Sequence, residues 1–126
     1  MIPTITKEWV FTAAQTDLAI VTLTSTQRGV IVYGQATCSN SNTADVALRV
    51  GFATATLPTI SNDSATGGAG VFMSHPGIAH GGGMVVSNGG APLAAGAADE
   101  DIRLTCSAAT GGAIRVVLTY WIDDLS

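Results

Sequence analysis

The strongest constraint in this chain is a period of two. Apolar and polar residues alternate in window after window, so successive side chains must face opposite sides of a pleated backbone. Ile5 to Phe11 alternate loosely, and Leu18 to Thr24 read Leu-Ala-Ile-Val-Thr-Leu-Thr. Arg28 to Thr37 set Val30, Val32 and Gly34 against Ile31, Tyr33 and Gln35. Asp45 to Ala53 gather Val46, Leu48, Val50 and Phe52 on one side, and Asp101 to Ser107 gather Ile102, Leu104 and Cys106. Ala113 to Ile122 form the longest run, with Ile114, Val116, Leu118 and Tyr120 opposed by Arg115, Val117, Thr119 and Trp121. The Thr, Val and Ile in these runs are stiff at χ1 and suit a strand. No window offers a capped amphipathic helix of more than a turn or two. The class expected is all-β.

Turn residues punctuate the runs. Ser39-Asn40-Ser41-Asn42 and Thr110-Gly111-Gly112 suit hairpins, because Asn and Gly tolerate positive φ. The runs flanking Asn40 are therefore expected to pair antiparallel, and so are the two C-terminal runs. A short echo accompanies these turns. Thr37-Cys38-Ser39 leads to Leu48-Arg49-Val50, and Thr105-Cys106-Ser107 leads to Ile114-Arg115-Val116. It marks two equivalent hairpins of one sandwich, or it is coincidence. From Ala55 to Ala98 the chain turns to Gly, Ala, Ser, Pro and Asn, with strand-like pieces at Gly70 to Ser74 and Met84 to Ser87. A structureless loop of that length does not suit a compact domain, so long surface loops holding one or two short strands are expected. The sum is about eight strands in one domain spanning residues 1–126, an antiparallel β-sandwich or jelly roll with long Gly/Ala-rich loops. Met1 to Thr6, with Pro3, reads as an extended N-terminal arm.

Composition narrows the function. Charged residues are 11% of the chain, well under the roughly 25% of an ordinary soluble domain. Five cations, of which only Lys7 is a lysine, against nine carboxylates cannot neutralise a phosphate track, so nucleic acid is not an expected partner. So few charges also argue against a lone soluble monomer. The N-terminal MIPTITKEWVF shows no basic region followed by an apolar stretch, and no run is long enough to cross a bilayer as a helix. Neither a secretory signal nor a membrane partner is expected. The protein is expected in the cytosol where it is made, or released by lysis or within a particle.

No catalytic, cofactor-binding or metal-binding residue is expected. His75 and His80 flank an expected Pro76-Gly77 turn and lack the helical i, i+4 spacing that fixes two imidazoles on one ion, even with Asp99 or Asp101 as a third ligand. Asp99-Glu100-Asp101 lacks the alternating ligands of a calcium loop and reads as a solvated turn or a contact with a cationic surface. Asp123 and Asp124 read as a solvated end that discourages edge pairing. Trp9, Trp121, Tyr33 and Tyr120 lie in strand-like runs, where packing is the default. Gly81-Gly82-Gly83 precedes neither a helix nor a Lys-Ser/Thr pair, so it is no phosphate loop. Two isolated cysteines make no zinc site. Cys38 and Cys106 form either an intersheet disulfide or, as expected of a chain without an export signal, two buried thiols.

A resemblance adds a biological setting. Pro76-Gly77-Ile78, Gly81-Gly82-Gly83, Ser87-Asn88-Gly89, Asp99 through Cys106, Gly111-Gly112 and Arg115 through Tyr120 resemble the tail half of small β-sandwich virion proteins of tailed phages. The covered part is roughly a third of the chain, and it consists of turns and strand cores. The resemblance implies a capsid decoration (cement) protein, a virion component made in the host cytoplasm. Such a protein binds the major capsid protein as a homo-oligomer, with a trimer favoured. It also implies no catalytic residue. The alternative is a tail- or fibre-associated module that recognises a host glycan or receptor through the loop Ala55 to Ala98, whose only aromatic is Phe72.

Overall fold

The computed structural model describes residues 3–52 and 71–125. Met1 and Ile2 of the expected arm, Ala53 of the fourth run and Gly70 of the fifth lie outside them, as does 55–70 of the expected loop. The strands are β1 (Ile5–Phe11), β2 (Gln15–Val21), β3 (Gln27–Cys38), β4 (Val46–Gly51), β5 (Val71–Ile78), β6 (Gly83–Ser87), β7 (Ala94–Ala95), β8 (Ile102–Cys106) and β9 (Ile114–Asp124). They form two antiparallel sheets. The first runs β1-β9-β3-β6, with β7 also paired to β3, and the second runs β2-β8-β4-β5. Setting aside the two-residue β7, this is the strand order of an eight-stranded jelly roll. Ile5 and Thr6 belong to β1 and pair with Tyr120 and Thr119, so the expected arm shortens to the residues before Ile5.

The two expected hairpins do not form. β3 lies in the first sheet and β4 in the second, and β8 and β9 are likewise split between sheets. The physical reason is that turn chemistry reports a chain reversal but not its plane. The connections 39–45 and 107–113 are each seven residues, longer than a tight hairpin loop. Seven residues easily bridge the ~10 Å between stacked sheets. Each connection is therefore an arch over the edge of the core.

The sequence echo is these two arches. Each half pairs with the other half rather than folding on itself: Cys38 lies opposite Ile114 and Leu48 opposite Cys106, Thr37 opposite Arg115 and Arg49 opposite Thr105. The serines close the pattern reciprocally. Ser39 N–H donates to the Ala113 carbonyl at 3.0 Å, and Ala113 N–H donates to Ser39 Oγ at 2.9 Å. Ser107 N–H donates to the Ala47 carbonyl at 3.0 Å, and Ala47 N–H donates to Ser107 Oγ at 2.9 Å. The fold has an approximate internal twofold, and the Thr-Cys-Ser triplets mark it.

Between the sheets lies one core, containing Ile31, Leu48, Val50, Phe72, Met73, Ile102, Leu104, Ile114 and Leu118. Phe72 is fully buried there on β5, and the ring occupies space that a side chain at Gly34 would fill. Absence of a Cβ on β3 lets the two sheets close around it. A register shift between Ile31 and Tyr33 changes the parity of β3. Ile31 and Gly34 face inward with Tyr120 and Leu118, while Tyr33 and Gln35 face outward, which regroups the faces expected from strict alternation. Pro76-Gly77 also departs from expectation. It lies inside β5 rather than in a turn, and β5 is a sheet edge, where proline removes no ladder hydrogen bond.

Candidate functional site

The outer face of the first sheet follows from the strand registers. Glu8, Val117, Gln35 and Val85 form one row across β1, β9, β3 and β6. Thr6, Thr119, Tyr33 and Ser87 form the next row, and Val10, Arg115, Thr37 and Gly83 the third. Trp121 extends the array toward the Asp123–Arg28 pair.

Most of the polar side chains of this face are bonded to one another. Glu8 Oε1 lies 3.1 Å from the Arg115 guanidinium, and the Thr6 and Thr119 hydroxyls are 2.9 Å apart. Tyr33 OH donates to Gln35 Oε1 at 2.9 Å. Trp121 Nε1 donates to Asp123 Oδ1 at 2.9 Å, and Arg28 Nε donates to Asp123 Oδ2 at 2.8 Å. The charges cancel in pairs, Glu8 with Arg115 and Asp123 with Arg28. Aliphatic surface remains between them, with Val85 59% exposed and Val10 47% exposed. Outward faces of antiparallel sheets are ordinarily polar and water-facing. This one is neutral and most of its polar side chains are bonded within it, so a protein surface can cover it while stranding few polar groups.

The second sheet also carries paired charges. Arg103 lies 3.6 Å from Asp17 Oδ2 and 3.5 Å from Asp101 Oδ2, and Arg49 Nε donates to Ser74 Oγ at 3.4 Å. Two of the four arginines thus sit on the second sheet.

The residues weighed for a metal site are not brought together. His75 lies level with Leu48 and Cys106, at the opposite end of the sheet from Asp101. Five residues of strand separate those levels, about 16 Å. Its Nδ1 accepts from Gly77 N–H at 3.0 Å, and His80 is exposed in the loop after β5. Among the described residues no group of three His, Cys, Asp or Glu can hold a metal ion. Nor is any helix among them long and apolar enough to cross a membrane.

The acidic stretch is more structural than expected of a solvated turn. Asp99, with φ of 64°, donates its N–H to the carbonyls of Thr24 and Gln27. Asp101 Oδ1 accepts from Leu23 N–H at 2.9 Å, and Glu100 Oε1 accepts from Ala97 N–H at 2.8 Å. Asp123 is likewise held by Arg28 and Trp121 instead of ending in water, and β9 is a central strand with no free edge to protect.

Cys38 and Cys106 are buried free thiols. Burial raises both thiols above the ordinary 9.0, which keeps them protonated and unreactive. Trp9 packs against the core and Tyr120 lies within it, whereas Tyr33 and Trp121 stand on the outer face. Phe72, the one aromatic of the expected glycan-binding loop, is in the core and cannot stack on a sugar. The residues that sequence reasoning did not assign to a site are Val10, Tyr33, Val85, Val117 and Trp121. The signal for Val117 and Trp121 was the 113–122 run, where the face opposite the core is itself apolar at two of four positions. No family model, curated protein or solved structure matches the chain.

Proposed function

We propose that this protein is a structural subunit of a phage virion, a capsid decoration protein that docks on the major capsid protein as a homo-oligomer and stabilises the shell. The observation that carries the reading is the outer face of the first sheet, neutral and with most of its polar side chains already bonded to each other. The jelly roll and the low charge agree with a protein that acts by contact area. Its work is then to bury surface across neighbouring capsid subunits.

Area sets a condition on that work. Four strands at ~4.8 Å spacing and five to seven residues at ~3.3 Å make a face of about 20 by 20 Å. One copy thus offers about 400 Å², roughly half the ~800 Å² per partner of a standard stable interface. Tethering copies together converts weak single contacts into avid attachment.

The test uses shells assembled from the major capsid protein encoded in the same genome, stripped of this chain. Adding the protein back is expected to give saturable co-sedimentation and a raised shell melting temperature. Shells that bind none of it and melt unchanged contradict the proposal. Saturable binding to a glycan array in their place supports the tail- or fibre-module reading.

A further inference from the structure

The described strands leave four sheet edges, and three of them are blunted. β2 carries two register shifts and a left-handed residue, Asp17, at φ 49°. β5 carries two register shifts and Pro76. β6 is only five residues long, and β7 follows it on the same strand, β3. β1 is not blunted. All seven of its residues pair with β9 without a shift, it contains no proline, and no described strand lies on its other side. An open, regular edge presents a row of free backbone donors and acceptors that another strand can match, and proteins that stay monomeric disguise such edges.

We propose that β1 pairs antiparallel with β1 of a second copy about a twofold axis, joining the two first sheets into one. Charge and overlap together select the register. Residues directly opposite each other must share a face, so an axis through this strand passes beside a residue that meets itself. An axis at Lys7 opposes two lysines, and an axis at Glu8 opposes two glutamates, both unfavourable. Of the axes that remain, the one at Trp9 keeps most of β1 paired, the five residues Lys7 to Phe11; it opposes Glu8 to Val10 and Lys7 to Phe11, with Trp9 across from itself and no like charges opposed. Lys7 already lies 5.8 Å over the Trp9 ring, so the central residues are ordered for the contact.

This inference rests on the proposed function in one respect: the joined faces double to about 800 Å², the size that a stable interface needs. It also replaces the trimer implied by the resemblance with an even-numbered assembly.

Val10 supplies the test, because its effects within one copy and between copies have opposite signs. Within a copy Val10 lies opposite Arg115, so Val10→Glu gains an attractive neighbour and Val10→Lys a repulsive one. Between copies Val10 lies opposite Glu8, so Val10→Glu introduces two like-charge pairs and Val10→Lys two attractive ones. Analytical ultracentrifugation of the full chain is expected to give twice the 12.7 kDa chain mass for the wild type. Val10→Glu is expected to weaken self-association at least ~10-fold while Val10→Lys preserves it. Thermal melts of the dissociated chains at low concentration are expected to rank the two variants the other way. A monomeric or trimeric wild type overturns the proposal, as do equal effects of both variants on association. Failure of the shell-binding test leaves this measurement intact, so the two claims are separable.

Discussion

Replacing Gly34 with alanine tests how the two sheets close on each other. Gly34 is on β3 of the first sheet and Phe72 on β5 of the second. A Cβ at position 34 would run into the Phe72 ring and come within 3.3 Å of Leu118 Cδ2. Phe72 is fully buried, so the ring cannot swing into solvent. Overpacking of a filled core costs about 1–3 kcal/mol, and the contact here belongs at the upper end. Alanine recovers about 0.5–1 kcal/mol that glycine gives up in a strand, leaving a net loss of about 2 kcal/mol. Phe72→Leu alone removes part of the ring and costs about 1–2 kcal/mol through the space it leaves. Together the two changes relieve each other, because the new methyl group enters that space. Urea unfolding of both single variants and the double variant gives the coupling. The expected double variant is more stable than the sum of the single effects by about 1 kcal/mol or more. Strict additivity refutes the placement of β3 over β5.

Three further outcomes follow from the same structure. Ser39→Ala and Ser107→Ala each remove the side-chain acceptor of an arch amide, so each is expected to cost about 1–3 kcal/mol. A loss confined to one of them in thermal melts contradicts the internal twofold. Burial raises Cys38 and Cys106 above 9.0 and Tyr120 above 10.0. A group that is neutral when protonated, and whose folded pKa is raised, contributes stability that is whole below its ordinary value and is lost as pH rises beyond it. Melting temperature is therefore expected to fall once pH passes 9.0, and less steeply in a Cys38→Ala/Cys106→Ala variant. A thiol reagent at neutral pH is expected to label neither cysteine until the chain unfolds, and rapid labelling of the native protein contradicts the burial.

Much of the fold was legible in the alternation. β1 runs over the residues expected, and β3, β4, β8 and β9 differ from expectation by a residue or two at their ends. Sheet assignment was not legible, because Asn40 and Gly111 encode a reversal and say nothing about which sheet receives the next strand. The parity change near Val32 was also hidden, since a bulge leaves no mark in a run where both faces are apolar. Pro76 read as a turn because the edge position that tolerates it is a tertiary fact. The candidate face was half legible. Val117 and Trp121 stood on the side away from the core in the sequence, but Val10, Tyr33 and Val85 join them only through pairing of β1, β3 and β6. The neutrality of the face depends on the Glu8–Arg115 and Arg28–Asp123 pairs, whose members are about a hundred residues apart.

Radical footprinting of the protein free and bound to shells tests the central claim most directly. Docking through the first sheet predicts that labelling of Tyr33, Val85, Val117 and Trp121 falls on binding, while Leu18 on β2 of the other sheet keeps its labelling. Unchanged labelling on that face, with protection at the 79–82 and 88–92 loops in its place, contradicts the account.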